Sequence, residues 1–251
     1  MKNAKPKAEL SGALLKIFEH VYVINLESRP DRRKEIAWQL ARIGLSFDHP
    51  SVTLFPASRP ADKGEFPTIG TRGCYESHLG VMRAAQQSGW TSYLVLEDDA
   101  DLSDDFEDRI VALAASAAST EWDIFYGWTP NTYGKSEKTT SALFVEIPPD
   151  EGVRLSHFMG LRTSILADML PYLEAIYHRP LGDPRGGAMH VDGAISWFRA
   201  NHPSLRTIAP EAPISVQRPS RSDIHAPKWF DRITFLSPIV TQLRRIKASL
   251  R

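Results

Sequence analysis

Short β-branched or aromatic runs alternate along the chain with longer stretches whose apolar residues recur every three or four positions. Val21-Tyr22-Val23-Ile24-Asn25-Leu26 is the first run and predicts a buried strand. Behind it Ser28 suits a helix cap and Pro30 a first turn, and Ile36, Leu40 and Ile43 share one face before Gly44, a residue fit for the left-handed position after a helix. Residues 50–73 are rich in Pro, Gly and Asp and predict loop, residues 74–88 predict a helix closed by Gly89, and Tyr93-Leu94-Val95-Leu96 predicts a second buried strand. Ser103 is the expected cap of a helix whose first turn holds Asp104, Asp105 and Glu107. Further strands are expected at 122–127, 142–147 and 205–209, and helices at 163–177 and 190–200, with a Gly/Pro loop at 180–187 between the helices. This alternation predicts an α/β fold with a mostly parallel central sheet flanked by helices.

Length and charge narrow the picture. The 251 residues accommodate one full core, expected over residues 20–234. Residues 1–19, opening with lysines and polar groups, predict a flexible leader. Residues 235–251 carry Leu236, Ile239, Val240, Leu243, Ile246 and Leu250 beside Arg244, Arg245, Lys247 and Arg251 with no acid, the pattern of a basic amphipathic helix that suits either a membrane surface or docking on the domain. Thirty basic and thirty acidic side chains leave a formal charge of zero, so no nucleic-acid partner is expected. The single cysteine, Cys74, excludes an intrachain disulfide and a cysteine-rich zinc site and fits a reducing, cytoplasmic setting. No apolar run is long enough to span a bilayer and no signal-peptide pattern opens the chain, which predicts a soluble or peripheral protein.

Two stretches carry chemistry. In Leu94-Val95-Leu96-Glu97-Asp98-Asp99-Ala100-Asp101 a hydrophobic strand runs directly into carboxylates, at the end of a strand where open α/β sheets bind ligands. Hard oxygen ligands so closely spaced repel one another unless a cation or strong donors are present, and Mg²⁺ or Mn²⁺ bound with substrate phosphates satisfies this; the alternative is a solvated strand end that starts a helix. Strand alternation puts Glu97 and Asp99 on one face and Asp98 on the other. Arg29, Arg32 and Arg33 follow the first strand at a helix start, where guanidinium groups and free backbone N–H groups suit a diphosphate; the alternative is a solvated helix face. His78 stands at helical spacing from Cys74 and Met82 and is either a packed core histidine or a group that orients the acids or the donor.

Taken together, Val23-Ile24-Asn25-Leu26 with Arg29, Arg32 and Arg33, then Gly73-Cys74-Tyr75-Glu76-Ser77-His78-Leu79, then Leu94 to Asp99, resemble glycosyltransferase family 25 in order and spacing. The sequence departs from that family's pattern at Tyr75-Glu76, where small or apolar residues are usual, and at Pro56-Ala57-Ser58-Arg59, which lacks the usual Asp-Gly. The resemblance implies a GT-A-like nucleotide-diphospho-sugar fold and an inverting hexosyl transfer, with galactose the favoured sugar, from a UDP-sugar to a glycan or lipid-linked oligosaccharide, dependent on Mn²⁺ or Mg²⁺. Such an acceptor would bring the enzyme to the cytoplasmic face of the inner membrane. The resemblance implies Glu97 and Asp99 as metal ligands with Asp98 between them, and His225, near Asp223, as a further ligand from a C-terminal loop. The expected donor-binding set is Asn25, Leu26, Arg29, Arg32, Arg33, His78 and Asp98. Inversion needs a base opposite the leaving group; Asp192, matching a late acid of the family, is the first candidate and Asp183 the second, although a helix cap is an equal reading for Asp192. A non-catalytic nucleotide-sugar or glycan-binding relative is the competing class. A phosphohydrolase is disfavoured because no second cluster of metal-spaced His and Asp residues accompanies the first.

Overall fold

Successive side chains of a strand face opposite sides of a sheet, and that alternation sorts the core into two layers. The structure, a computed structural model, describes residues 5–128, 139–141 and 143–218. In chain order the first half runs α1 (Lys7–Ile17), β1 (His20–Asn25), α2 (Pro30–Arg42), β2 (Val52–Pro56), α3 (Ile69–Ser88), β3 (Ser92–Glu97), β4 (Ala100–Leu102) and α4 (Phe106–Ala117). The second half runs β5 (Ile124–Tyr126), β6 (Thr139–Ser141), β7 (Phe144–Ile147), β8 (Phe158–Arg162), α5 (Leu166–Tyr177), α6 (Val191–Asn201), β9 (Thr207–Pro210) and β10 (Ser215–Gln217). Val21, Val23, Leu94 and Leu96 pack under α1, α2 and α4, while Tyr22, Ile24, Tyr93 and Val95 pack under α3, α5 and α6. Both faces of β1 and β3 are covered, which is why their sequences read as continuous apolar runs.

The main sheet has eight strands in the order β2-β1-β3-β8-β5-β9-β7-β6. β2, β1, β3, β5, β9 and β6 run one way, and only β8 and β7 oppose them. The mostly parallel α/β architecture expected from the sequence is therefore present, and it accords with a GT-A-like fold. β4 and β10 form a separate antiparallel pair. The parallel registers pair Asn25 with Pro56 and Ile24 with Glu97, so the carboxyl ends of β1, β2 and β3 lie level. Gly44 and Gly89 adopt the left-handed backbone expected of them (φ 78° and 81°).

Several expectations need correction. Lys7–Ile17 is a packed helix: Leu10, Ala13, Leu14 and Ile17, at the spacing of one helical face, are buried in the core. Phe18, at its end, sits so close to β8 that a Cβ on Gly160 would come within 2.1 Å of its ring. Burying each large apolar side chain stabilises by about 1.5–3 kcal/mol, enough to overcome the polar composition that suggested a flexible leader. The loop predicted at 50–73 contains β2 and the first turn of α3. Ser103 does not cap α4; Asp105 holds that position, and Ser103 Oγ donates to Asp105 Oδ1 at 2.7 Å. The basic stretch 235–251 and His225 lie outside the described residues.

Candidate active site

The level ends of β1, β2 and β3 open onto a cavity of about 270 Å³. Its walls come from the loop after β1 (Leu26, Ser28), the first turns of α2 (Arg32), the loop after β2 (Ala57 to Pro60), one face of α3 and the end of β3 (Glu97, Asp98). The α3 face presents Ile69, Gly70, Gly73, Cys74, Ser77 and His78 at helical spacing, and its small members Gly70, Gly73 and Ser77 let the loop after β2 approach. A Cβ on Gly73 would meet the Ser58 carbonyl oxygen at 2.8 Å.

Strand β3 ends at Glu97, and Asp98 and Asp99 occupy the tight connection to β4. Strict alternation therefore stops at Glu97, and Glu97 and Asp98, rather than Glu97 and Asp99, line the cavity. Glu97 Oε1 accepts from His78 Nε2 (3.0 Å) and Ser156 Oγ (2.8 Å). Burial raises the Glu97 carboxyl, but the His78 hydrogen bond and charge, with Ser156, outweigh it and hold the group below its ordinary value. Asp98 is buried and accepts from Asn25 Nδ2 (2.7 Å) and Arg32 Nη1 (2.8 Å). Asp99 lies 3.4 Å from Arg32 Nη1, accepts a long bond from Gln217 Nε2, and keeps one buried oxygen, Oδ1, with no hydrogen-bond partner among the described residues. Burial, then the charges of Glu97 and Asp98, push its carboxyl up to about 7 despite Arg32 and Arg218. A buried acid with an orphaned oxygen beside two other carboxylates is under-compensated in positive charge, and an all-oxygen set of this kind fits a hard divalent cation.

The arginines behave differently from expectation. Arg32 binds Asp98, Arg33 Nε donates to Asn25 Oδ1 (3.0 Å), and Arg29 pairs with Asp31 (2.9 Å). Each therefore has a partner within the protein, and of the three Arg32 lines the cavity. Arg59, missed by the sequence reading, is exposed on the cavity wall and has no hydrogen-bond or ion-pair partner among the described residues. Its loop is held by the two departures from the family pattern acting together. Ser58 Oγ donates to Glu76, Ser58 N donates to Ser77 Oγ (2.8 Å), and Glu76 also accepts from Arg72 (2.7 Å) and Tyr177 (2.7 Å). Tyr75 is fully buried and donates to the Leu173 carbonyl at 2.8 Å, tying α3 to α5. Sequence spacing alone cannot reveal a contact between residues 58 and 76.

The two base candidates stand apart from the cavity lining. Asp192, in the first turn of α6, accepts from its neighbour Gly193 N (2.8 Å) and, across 37 positions, from Leu155 N (3.1 Å), while His190 holds the N-cap position. Asp183 accepts hydrogen bonds from Arg185, which hold its carboxyl down to about 2.

Residues 52–165, from β2 to the turn before α5, match the family described as glycosyltransferase family 25 (LPS biosynthesis protein). The match covers 114 of the 251 residues, a little under half of the chain. The matched part holds Cys74, His78 and the acidic turn, while Arg32 and Asp192 lie outside it. Relatives of the family 25 segment include human "Inactive glycosyltransferase 25 family member 3", 28% identical over 127 residues (43% of this chain, 21% of that protein). A "Glycosyltransferase 25 family member" of Drosophila pseudoobscura pseudoobscura is 31% identical over 125 residues (43% and 20%), and "Procollagen galactosyltransferase 1-B" of Xenopus laevis is 26% identical over 127 (43% and 21%). The chain thus spans about a fifth of the length of these curated relatives. Among the described residues, no helix is long and apolar enough to cross a membrane.

Proposed function

We propose that this chain is a hexosyltransferase that moves a sugar, galactose in the first instance, from a UDP-sugar to a hydroxyl of a glycan or lipid-linked oligosaccharide. The observation that carries this reading is one cavity in which the guanidinium of Arg59, unpartnered among the described residues, the carboxylates Glu97 and Asp98, and apolar Ile24, Leu26, Ile69 and Pro60 meet at the ends of β1 and β3. A nucleoside diphosphate needs those three chemistries: apolar walls for the base, a cation-binding acid set and a guanidinium for phosphate. In this reading Glu97, Asp98 and Asp99 hold Mn²⁺ or Mg²⁺, which when bound offsets the negative charge of the departing diphosphate. Arg32, with Asn25, fixes Asp98 rather than touching phosphate, His78 and Ser156 orient Glu97, and Arg59 binds the diphosphate. Asp192 remains the proposed base for the acceptor hydroxyl. The basic stretch 235–251 is proposed to contact an anionic membrane surface; vesicle co-sedimentation of the full chain and of a form ending at Ser237 tests this, and equal binding by both rejects it.

A panel of nucleotide sugars screened by thermal shift with Mn²⁺ tests the donor. A ligand at a hundred times its Kd stabilises by about 2.7 kcal/mol, so a true donor stands out. UDP-hexose should stabilise the protein and release UDP slowly without acceptor; no response to any nucleotide sugar rejects the proposal. A second reading, a non-catalytic donor-binding relative, has support from the Arg32–Asp98 ion pair at the acid set and from relatives named as inactive. Donor binding with no UDP release would select it.

A further inference from the structure

The cavity wall also carries a set of metal-ligating side chains unlike the acidic turn. Cys74 and His78 stand four residues apart on α3, so their side chains project from one helix face, and Glu97 reaches that face from the end of β3. One ligand atom from each of the three lies within 4.8 Å of the other two, and His78 Nε2 is 3.0 Å from Glu97 Oε1. We propose that Cys74, His78 and Glu97 form a binding site for a borderline-soft divalent cation, Zn²⁺ before all others.

The ligand chemistry selects the ion. Thiolate, imidazole and carboxylate are the donors of tetrahedral zinc sites, whereas Mg²⁺ and Mn²⁺ favour oxygen alone. Tetrahedral ligands bonded at 2.0–2.3 Å stand roughly 3.5 Å apart, so side-chain rotation closes the remaining gap of about 1 Å without moving the helix or the strand. All three residues line the cavity, which leaves the fourth coordination position facing open space for a water molecule. The His78 ring is buried and its Nδ1 has no hydrogen-bond partner among the described residues, so its bond to Glu97 can be exchanged for a metal without breaking a second contact there. Binding converts the Cys74 thiol to a thiolate–metal bond and releases its proton to solvent. Because Glu97 belongs to both ligand sets, an ion held here withdraws it from the acidic turn, and Zn²⁺ antagonises any activity that uses Glu97 with a hard cation. The zinc site itself stands whether or not the chain turns over a sugar donor.

Co²⁺ titration of the full chain tests the site without donor or acceptor. Cys74 is the sole cysteine, so a thiolate-to-cobalt absorption band reports this position alone. The expected result is one equivalent of Co²⁺ giving that band with proton release, and its displacement by one equivalent of Zn²⁺. Cys74→Ser should lose the band, and His78→Gln and Glu97→Gln should each bind Co²⁺ at least about tenfold more weakly, with circular dichroism verifying that the variants fold. No thiolate band in the wild-type protein overturns the proposal. A band whose affinity is unchanged in His78→Gln and Glu97→Gln overturns it equally, because it marks a solitary thiol. The wild-type titration and its stoichiometry decide even if a variant fails to fold.

Discussion

Two regions of this molecule bury charge and resolve it in opposite ways. Arg199, on α6, is almost completely enclosed, and its guanidinium donates to the carbonyls of Ile147 (2.9 Å), Pro148 (2.7 Å) and Glu151 (2.7 Å) and to Thr207 Oγ1 (2.7 Å). Those bonds knit the end of β7 and the start of β9 to a helix, and the charge is closed off from any ligand. The acidic turn after β3 buries Asp98 and Asp99 beside Glu97, yet presents Glu97 and Asp98 to a cavity and leaves Asp99 Oδ1 unpartnered among the described residues. Buried polar groups are normally satisfied, so the closed arrangement marks a structural joint and the open one a place prepared for something to bind.

The sharpest way to break this comparison is to remove each centre. Arg199→Met leaves carbonyl acceptors and Thr207 without their donor, and should destabilise the fold by about 3–5 kcal/mol in urea unfolding without altering donor affinity of the folded fraction. Glu97→Gln should do the reverse: UDP release should fall by about 10²–10³-fold, as expected when one electrostatic contributor to a transition state is lost, while the unfolding midpoint stays near that of the wild type. If the Arg199 variant lost donor binding and the Glu97 variant lost only stability, the assignment of joint and site would be inverted.

A pH-dependent difference sharpens the contrast. The Asp99 carboxyl, ordinarily near 3.8, is pushed up to about 7 in the folded protein, so the folded state holds a proton that the unfolded chain releases. Its contribution to stability is full below about pH 4 and declines as pH rises to about 7. His157, pushed down to about 4 by burial, acts oppositely over the range below its ordinary value of 6.5. Comparison with Asp99→Asn isolates the first effect: the stability of the wild type relative to the variant should fall between pH 4 and 7 and level off above, and Mn²⁺ should reduce the fall. A flat difference across that range refutes the under-compensated acid. The smallest expected effect belongs to Arg59→Ala, which should raise the donor KM about tenfold, most strongly at low salt, with kcat little changed. An equal effect from Arg29→Ala would return the phosphate role to the loop after β1.

The sequence by itself determined the elements whose local signals agree with their environment: β1 and β3 as continuous apolar runs, the helix ends at Gly44 and Gly89, the α/β class, and the acidic run at a strand end. It also contained the stripe at Leu10, Ala13, Leu14 and Ile17, which composition obscured until packing on the sheet gave it a partner. Only the tertiary structure decided which charges are free. Arg32 and Asp98 are 66 positions apart, beyond the reach of any local motif, and only the fold brings them into a pair. Likewise Ser58 and Glu76 meet only because α3 crosses the loop after β2, which leaves Arg59 facing the cavity. Side-chain periodicity is a property of a few consecutive residues and survives in the sequence, whereas compensation of a charge depends on which distant groups the fold brings within about 3 Å.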